Sequence, residues 1–163
     1  MSTSETLLSQ FDQEMANTRK LLECVPEDKF AWKPHEKSMT LGRLASHVAE
    51  MPNWAAMTVN VDKLDLTPDL KPFSASTKAQ LIEGLTTNVA AGREAIAGAS
   101  DEHLAKTWTL LFQGNTVLSM PRIDILRTTV MSHMIHHRGQ LSVYLRLLDV
   151  AIPGMYGPSA DNK

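Results

Sequence analysis

Met131-Ser132-His133-Met134-Ile135-His136-His137-Arg138-Gly139-Gln140 lies inside an amphipathic segment that runs from about Pro121 to Leu148. At roughly 100° per residue, Ile123, Leu126, Val130, Met134, Leu141, Tyr144 and Leu148 fall in one apolar arc about 80° wide. His137 lies inside that arc. His133 stands at its edge, about 40° away and one turn earlier, whereas His136 points about 100° from His137. The spacing therefore predicts a long helix with an i, i+4 histidine pair on its core-facing side and a third histidine turned elsewhere.

Two histidines one turn apart are side-chain neighbours, and neutral imidazole is a good ligand for zinc, nickel, copper or iron. The same pair also fits ordinary core-edge histidines hydrogen-bonded to backbone or water, so a third ligand decides between the two. No Glu stands between them in an HExxH arrangement. A zinc-protease reading therefore lacks its general base.

The chain has 163 residues, the length of one domain, residues 1–163, with room for a sizeable core. Hydrophobic residues make up 43% and aromatics 6%, which suits a helical core of Leu, Ala, Val and Met rather than a β-sandwich. A net charge of -2 without a basic block argues against binding nucleic acid through its phosphates and against adhesion to anionic lipid. No apolar run approaches the roughly 20 residues of a membrane span. With no signal-peptide pattern at Met1 to Glu5 and a single cysteine, Cys24, a cytoplasmic protein is expected. Cys24 has no neighbouring histidine or basic cluster to hold a thiolate, so a helix-end residue is expected there rather than a nucleophile.

The first periodic segment runs from Ser4 to about Leu22, with Leu8, Phe11, Met15, Thr18 and Leu22 at helical spacing. A polar connection follows, anchored by Phe30 and Trp32, in which His35 reads as exposed. Thr40 is the expected N-cap of a second helix whose buried stripe is Leu41, Leu44, Ala45, Val48, Met51 and Ala55. His47 flanks that stripe, about 60° from Leu44, with Trp54 two turns later. Pro52 removes a backbone donor, so a kink or pause is expected there. Residues Asp62 to Ser76 form a long crossover that permits helices 2 and 3 to run in the same direction. Thr77-Lys78-Ala79-Gln80 has the form of a capping box opening a third helix with Leu81, Leu85, Val89, Gly92 and Ile96 on one face. His103 reads as a surface residue. β-prone residues on both sides of Gly114-Asn115 allow a short hairpin, after which Pro121 suits the first turn of the fourth helix. The tail Asp149 to Asp161, rich in Pro and Gly, is expected to pack back on the helices. The sum is an all-α, four-helix bundle with a crossover between helices 2 and 3 and a hairpin before helix 4.

Lys33-Pro34, then Ser38 to Trp54 (SMTLGRLASHVAEMPNW), then His133 to Gln140 with its His-Arg-Gly-Gln ending, then Pro153 to Asp161 (PGMYGPSAD), together resemble the DinB/YfiT-like superfamily. The landmarks span most of the chain in the family's order. The resemblance implies a four-helix bundle with a divalent metal ion, zinc or nickel foremost, held by one histidine of the second helix and two of the fourth: His47, His133 and His137. It also implies a homodimer, for which the apolar tail around Ile152 to Tyr156 is one contact.

Three imidazoles leave coordination positions open, the arrangement of a catalytic rather than a structural metal, at which a water can be acidified or a thiolate taken up. Some members of the family this chain resembles are transferases or isomerases that use low-molecular-weight thiols. The expected activity is thus a metal-dependent transferase or hydrolase acting on a small molecule, with a non-catalytic metal- or ligand-binding dimer as the alternative. Trp54 taken alone reads as packing; on the flank of His47 it would border the substrate, as would Gln140, one turn after His137. No residue stands out as a general base, since Glu50 reads as a solvated charge and Gln140 as a hydrogen-bonding partner of a ligand.

Overall fold

The computed structural model describes residues 2–162. Helix α1 (Thr3–Glu23) opens with a capping box: Ser2 Oγ accepts from the Glu5 N–H and the Glu5 carboxylate accepts from the Ser2 N–H, satisfying two donors that the first turn leaves free. At its other end Cys24 caps the helix, its thiol donating to the Lys20 carbonyl. Burial pushes that thiol's pKa up, as suits a structural residue.

Thr40 caps α2 (Leu41–Asn60) through its hydroxyl, which accepts from the Arg43 N–H. The pause expected at Pro52 does not occur. The proline costs the bond to one carbonyl, while Val48, Met51 and Ala55 keep both sides of it buried in the core. In α3 (Lys78–Gly98) the Gln80 N–H bonds Thr77 Oγ1, but the Gln80 side chain accepts from the Ser76 N–H, one residue before the cap.

Ser46 bonds Ala75, Asn88 bonds the Ala49 carbonyl and Gly92 faces Pro52, so contacts climb α2 and α3 together and the two run the same way. A Cβ on Gly92 would lie 2.5 Å from the Pro52 carbonyl oxygen; glycine is what allows this approach. Helix α1 runs against α3, with Asp12 on Arg93 and Arg19 on Thr86.

The crossover is not irregular throughout. Within it β1 (Lys63–Leu66) pairs in parallel with β2 (Thr107–Phe112), which pairs antiparallel with β3 (Asn115–Pro121). The all-α expectation is therefore corrected to a mostly helical chain carrying a three-stranded mixed sheet. Leu64 and Leu66 pack on buried Trp108, Leu110 and Ile125, a tertiary partnership that four residues in an Asp- and Pro-rich stretch do not announce. The expected hairpin is present. Its two-residue loop is Gln113-Gly114, both at positive φ (50° and 78°), the turn whose twist matches antiparallel strands.

Short α4 (Asp101–Ala105) precedes the hairpin. Its His103 is half-buried rather than a surface residue, because Nε2–H donates to the Val59 carbonyl at 2.8 Å and ties α4 to the end of α2. After the hairpin, Pro121 is the cap of α5 (Arg122–Ile125) rather than part of its first turn. The helix then widens into a π-helical stretch (Leu126–Ser132) and continues as α6 (His133–Leu147). In the widened stretch bonds run i→i+5, and the Ser132 hydroxyl reaches the Arg127 carbonyl five residues back. The 100° count therefore fails between Ile123 and His133: Ile123 is only half-buried, whereas Ile125 and Met131 are buried.

One core cluster joins Phe11 and Met15 to Val130 and Met134, and a second joins Leu21 and Leu22 to Leu141 and Leu145. The tail packs back as expected, with Val150, Ile152 and Met155 on the second cluster and Asp161 bonding Arg146 and the Ile152 N–H. No helix among the described residues is long and apolar enough to cross a membrane.

Candidate metal centre

Where α2 packs on α6, His47 meets the histidine pair. One ring nitrogen from each of His47, His133 and His137 lies within 4.8 Å of the others. Ring centroids are 4.6 Å apart for His133 and His137, 4.7 Å for His47 and His137, and 5.5 Å for His47 and His133. The Nε2 atoms of the pair approach to 2.8 Å. His136 is exposed on the outside of the helix, as its angular position predicts.

The partners of the other ring nitrogens favour Nε2 as the ligand atom. His137 Nδ1–H donates to Gln140 Oε1 at 2.8 Å, which leaves the lone pair on Nε2. His47 Nδ1 is buried without a hydrogen bond among the described residues, but Glu50 Oε2 stands 3.6 Å from it. The other Glu50 oxygen accepts from the Phe73 N–H, so the crossover fixes this carboxylate behind the ligand. Glu50 is thus half-buried against His47 and not the solvated charge that its position on α2 suggests.

Burial pushes His133 below the usual imidazole pKa, with His47 adding to the shift and the Thr129 backbone opposing it. Burial likewise lowers His137, against the opposing hydrogen bond to Gln140. Both effects favour the neutral imidazole that a metal requires. Burial alone would raise Glu50, yet the adjacent His47 and the Phe73 N–H bring it below the ordinary carboxylate value. Three converging imidazole nitrogens, with Gln140 and Glu50 standing behind His137 and His47, form a donor set that fits a divalent ion such as zinc or nickel.

Two hollows border the triad and share no residue. One, about 420 Å³, contains His47, Glu50 and Trp54 and is walled by the crossover and Phe112. The other, about 280 Å³, contains His137, Gln140 and Tyr144. Trp54 and Gln140 therefore lie beside different ligands. A larger hollow, about 720 Å³, sits between the ends of α2 and α3 away from the triad, and its His103 is already committed to Val59.

Arg138, next to His137, is 1% exposed and was not singled out by the sequence. Its Nη1 donates to the Glu14 carbonyl and to Thr18 Oγ1, and its Nη2 to Glu14 Oε2 at 2.6 Å and to the Tyr156 hydroxyl. That hydroxyl in turn donates to Glu14 Oε2, while the Tyr156 ring stays exposed. Burial and the Glu14 carboxylate raise the Tyr156 pKa. The network fixes α6 on α1 and sets which way His137 faces. The helical count gives little signal here: Arg138 lies about 40° beyond Met134, just outside the apolar arc.

A sequence model described as the DinB family matches residues 1–162. An uncharacterised Bacillus subtilis protein, YrdA, is 27% identical over 98% of this chain and 91% of its own length. Among solved structures, a DinB-like protein from Bacillus cereus superposes with a TM-score of 0.72 at 22% identity, covering 93% of this chain and 97% of that one. The DinB-like protein YjoA from Bacillus subtilis gives 0.69 at 18% identity, covering 97% and 99%.

Proposed function

The chain belongs to the DinB family, and on that premise we propose that it is a metal-dependent enzyme, a transferase that joins a low-molecular-weight thiol to a small electrophile. The observation that carries this reading is the convergence of His47, His133 and His137 within 4.8 Å at the edge of two separate hollows. Two hollows, each containing one of the ligands, suit a reaction between two molecules better than hydrolysis of one.

A bound divalent ion would supply Lewis acidity, lowering the pKa of a thiol presented to it. Because all three ligands are neutral, an anionic partner such as a thiolate compensates charge that the chain leaves unbalanced. His137 and Gln140 border one molecule, and His47 and Trp54 the other. In the transfer the thiol loses its proton to solvent, the sulfur–carbon bond forms and the electrophile's leaving group departs. The reading includes zinc or nickel as the ion, a four-helix bundle as the body, the cytoplasm as the compartment and a homodimer formed through the tail near Ile152 to Tyr156.

Metal analysis of protein purified without a histidine tag, followed by mixing with a panel of thiols and monochlorobimane, tests this. The expected result is one divalent ion per chain and turnover that chelator removes and added metal restores. Stoichiometric metal without turnover for any thiol would favour the alternative, a binding protein that does no chemistry.

A further inference from the structure

We propose that the hollow beside His47 binds an organic carboxylate with an apolar body, its anionic end on Arg43 and Lys71 and its body on Trp54 and Phe112. The inference deepens the transferase reading by naming the class of molecule held on that side of the triad, and it rests on that reading only for the chemistry that follows binding.

Charge is the first observation. Arg43 and Lys71 both line the hollow, and neither has a carboxylate within 4.0 Å among the described residues. The hollow's own carboxylate, Glu50, accepts from the Phe73 N–H; the Arg43 charge helps to lower its pKa, but the two do not pair within 4.0 Å. Arg43 Nη1 is out of contact with solvent and bonds nothing, which is costly for a guanidinium, since five fixed donors are normally met by oxygen. A carboxylate in the hollow meets the other edge of the fork, Nε and Nη2, and suits it better than a neutral group because it accepts two parallel N–H bonds.

Apolar surface is the second. Leu70 and Phe112 are more than half exposed and stand at the edge of the hollow, with half-buried Trp54 inside it. Exposed side chains of this size, gathered around two unpaired cations, describe a molecule with an apolar body and a charged end. The volume, about 420 Å³, falls within the range of about 300–1,000 Å³ that small-ligand sites occupy.

The test is calorimetric titration of the full chain, after chelator treatment, with 4-phenylbutyrate and with its neutral amide. The acid is expected to bind about tenfold more tightly than the amide, the effect of a charge-assisted pair. Arg43→Gln should reduce that preference to about twofold or less while leaving metal stoichiometry unchanged, and exposed Lys71→Gln, which carries no folding risk, should cut it by about half. Phe112→Ala should weaken both ligands alike. Equal binding of acid and amide, no binding of either, or a preference that survives both cation variants would overturn the inference. A preference that exists only in the metal-loaded protein would also overturn it, by placing the carboxylate on the ion. Metal content and thiol turnover are read separately, so loss of either removes the transferase and leaves the carboxylate site standing.

Discussion

His137 and Arg138 are consecutive residues of α6, both withdrawn from solvent, and they face opposite kinds of polar interior. Toward α1, Arg138 meets a carboxylate, a carbonyl and two hydroxyls and is satisfied by the chain itself. Toward α2, His137 meets two more imidazoles, and the three together offer more acceptor capacity than the chain supplies donors for. The first cluster is complete as folded. The second is open to completion by an ion, as the proposed function requires, and this would distinguish a strut from a site when both are buried and polar.

The sharpest way to break that comparison is Glu14→Ala, which leaves a buried guanidinium that cannot lose its proton. Stability by chemical denaturation should fall by about 3–5 kcal/mol. A paired Glu14→Gln, Arg138→Met variant should recover much of the loss, because replacing both charges removes the unpaired one.

Next in size is the metal itself. His133→Ala or His137→Ala should abolish stoichiometric binding in an equilibrium titration, His47→Ala should weaken it, and His136→Ala should leave it intact. The metal-free stability of these variants should stay within about 1 kcal/mol of the parent. If His137→Ala destabilises the metal-free protein as much as Glu14→Ala does, the triad is a structural cluster and the contrast disappears.

Metal at about a hundred times its dissociation constant should stabilise the parent by about 2.7 kcal/mol, read as a rise in the thermal midpoint that is absent from His137→Ala. The smallest effect belongs to the groups behind the ligands. Gln140→Ala and Glu50→Gln should each cost about 10–100-fold in metal affinity, with no loss in the denaturation experiment. Unchanged affinity in both would remove the assigned roles of the Nδ1 partners.

The comparison also shows what the sequence made legible. The stripe of α2 from Leu41 to Ala55 is buried as its periodicity predicts, and the i, i+4 spacing identifies His133 and His137 because both belong to one regular helix. His47 entered the set through family resemblance, since how α2 sits against α6 is a tertiary fact that periodicity within either helix does not contain. Arg138 escaped notice because its angle lies about 40° outside the apolar arc, where charge reads as exposure, and its partners Glu14 and Thr18 belong to another helix. Strand β1 escaped for a related reason: Leu64 and Leu66 become a strand only when β2 is beside them.

The widened turns from Leu126 to Ser132 end where the histidine pair begins. Along a regular helix every residue's azimuth is locked to every other's, so Ile125, which seats the sheet, and His133, which faces α2, would share one rigid phase. Bonds that span five residues instead of four accommodate an additional residue in that stretch, and the two ends are thereby uncoupled. The π stretch acts as a phase adjuster, a mechanical offset that lets the hairpin be positioned at one end and the imidazoles be aimed at α2 at the other without either setting the other.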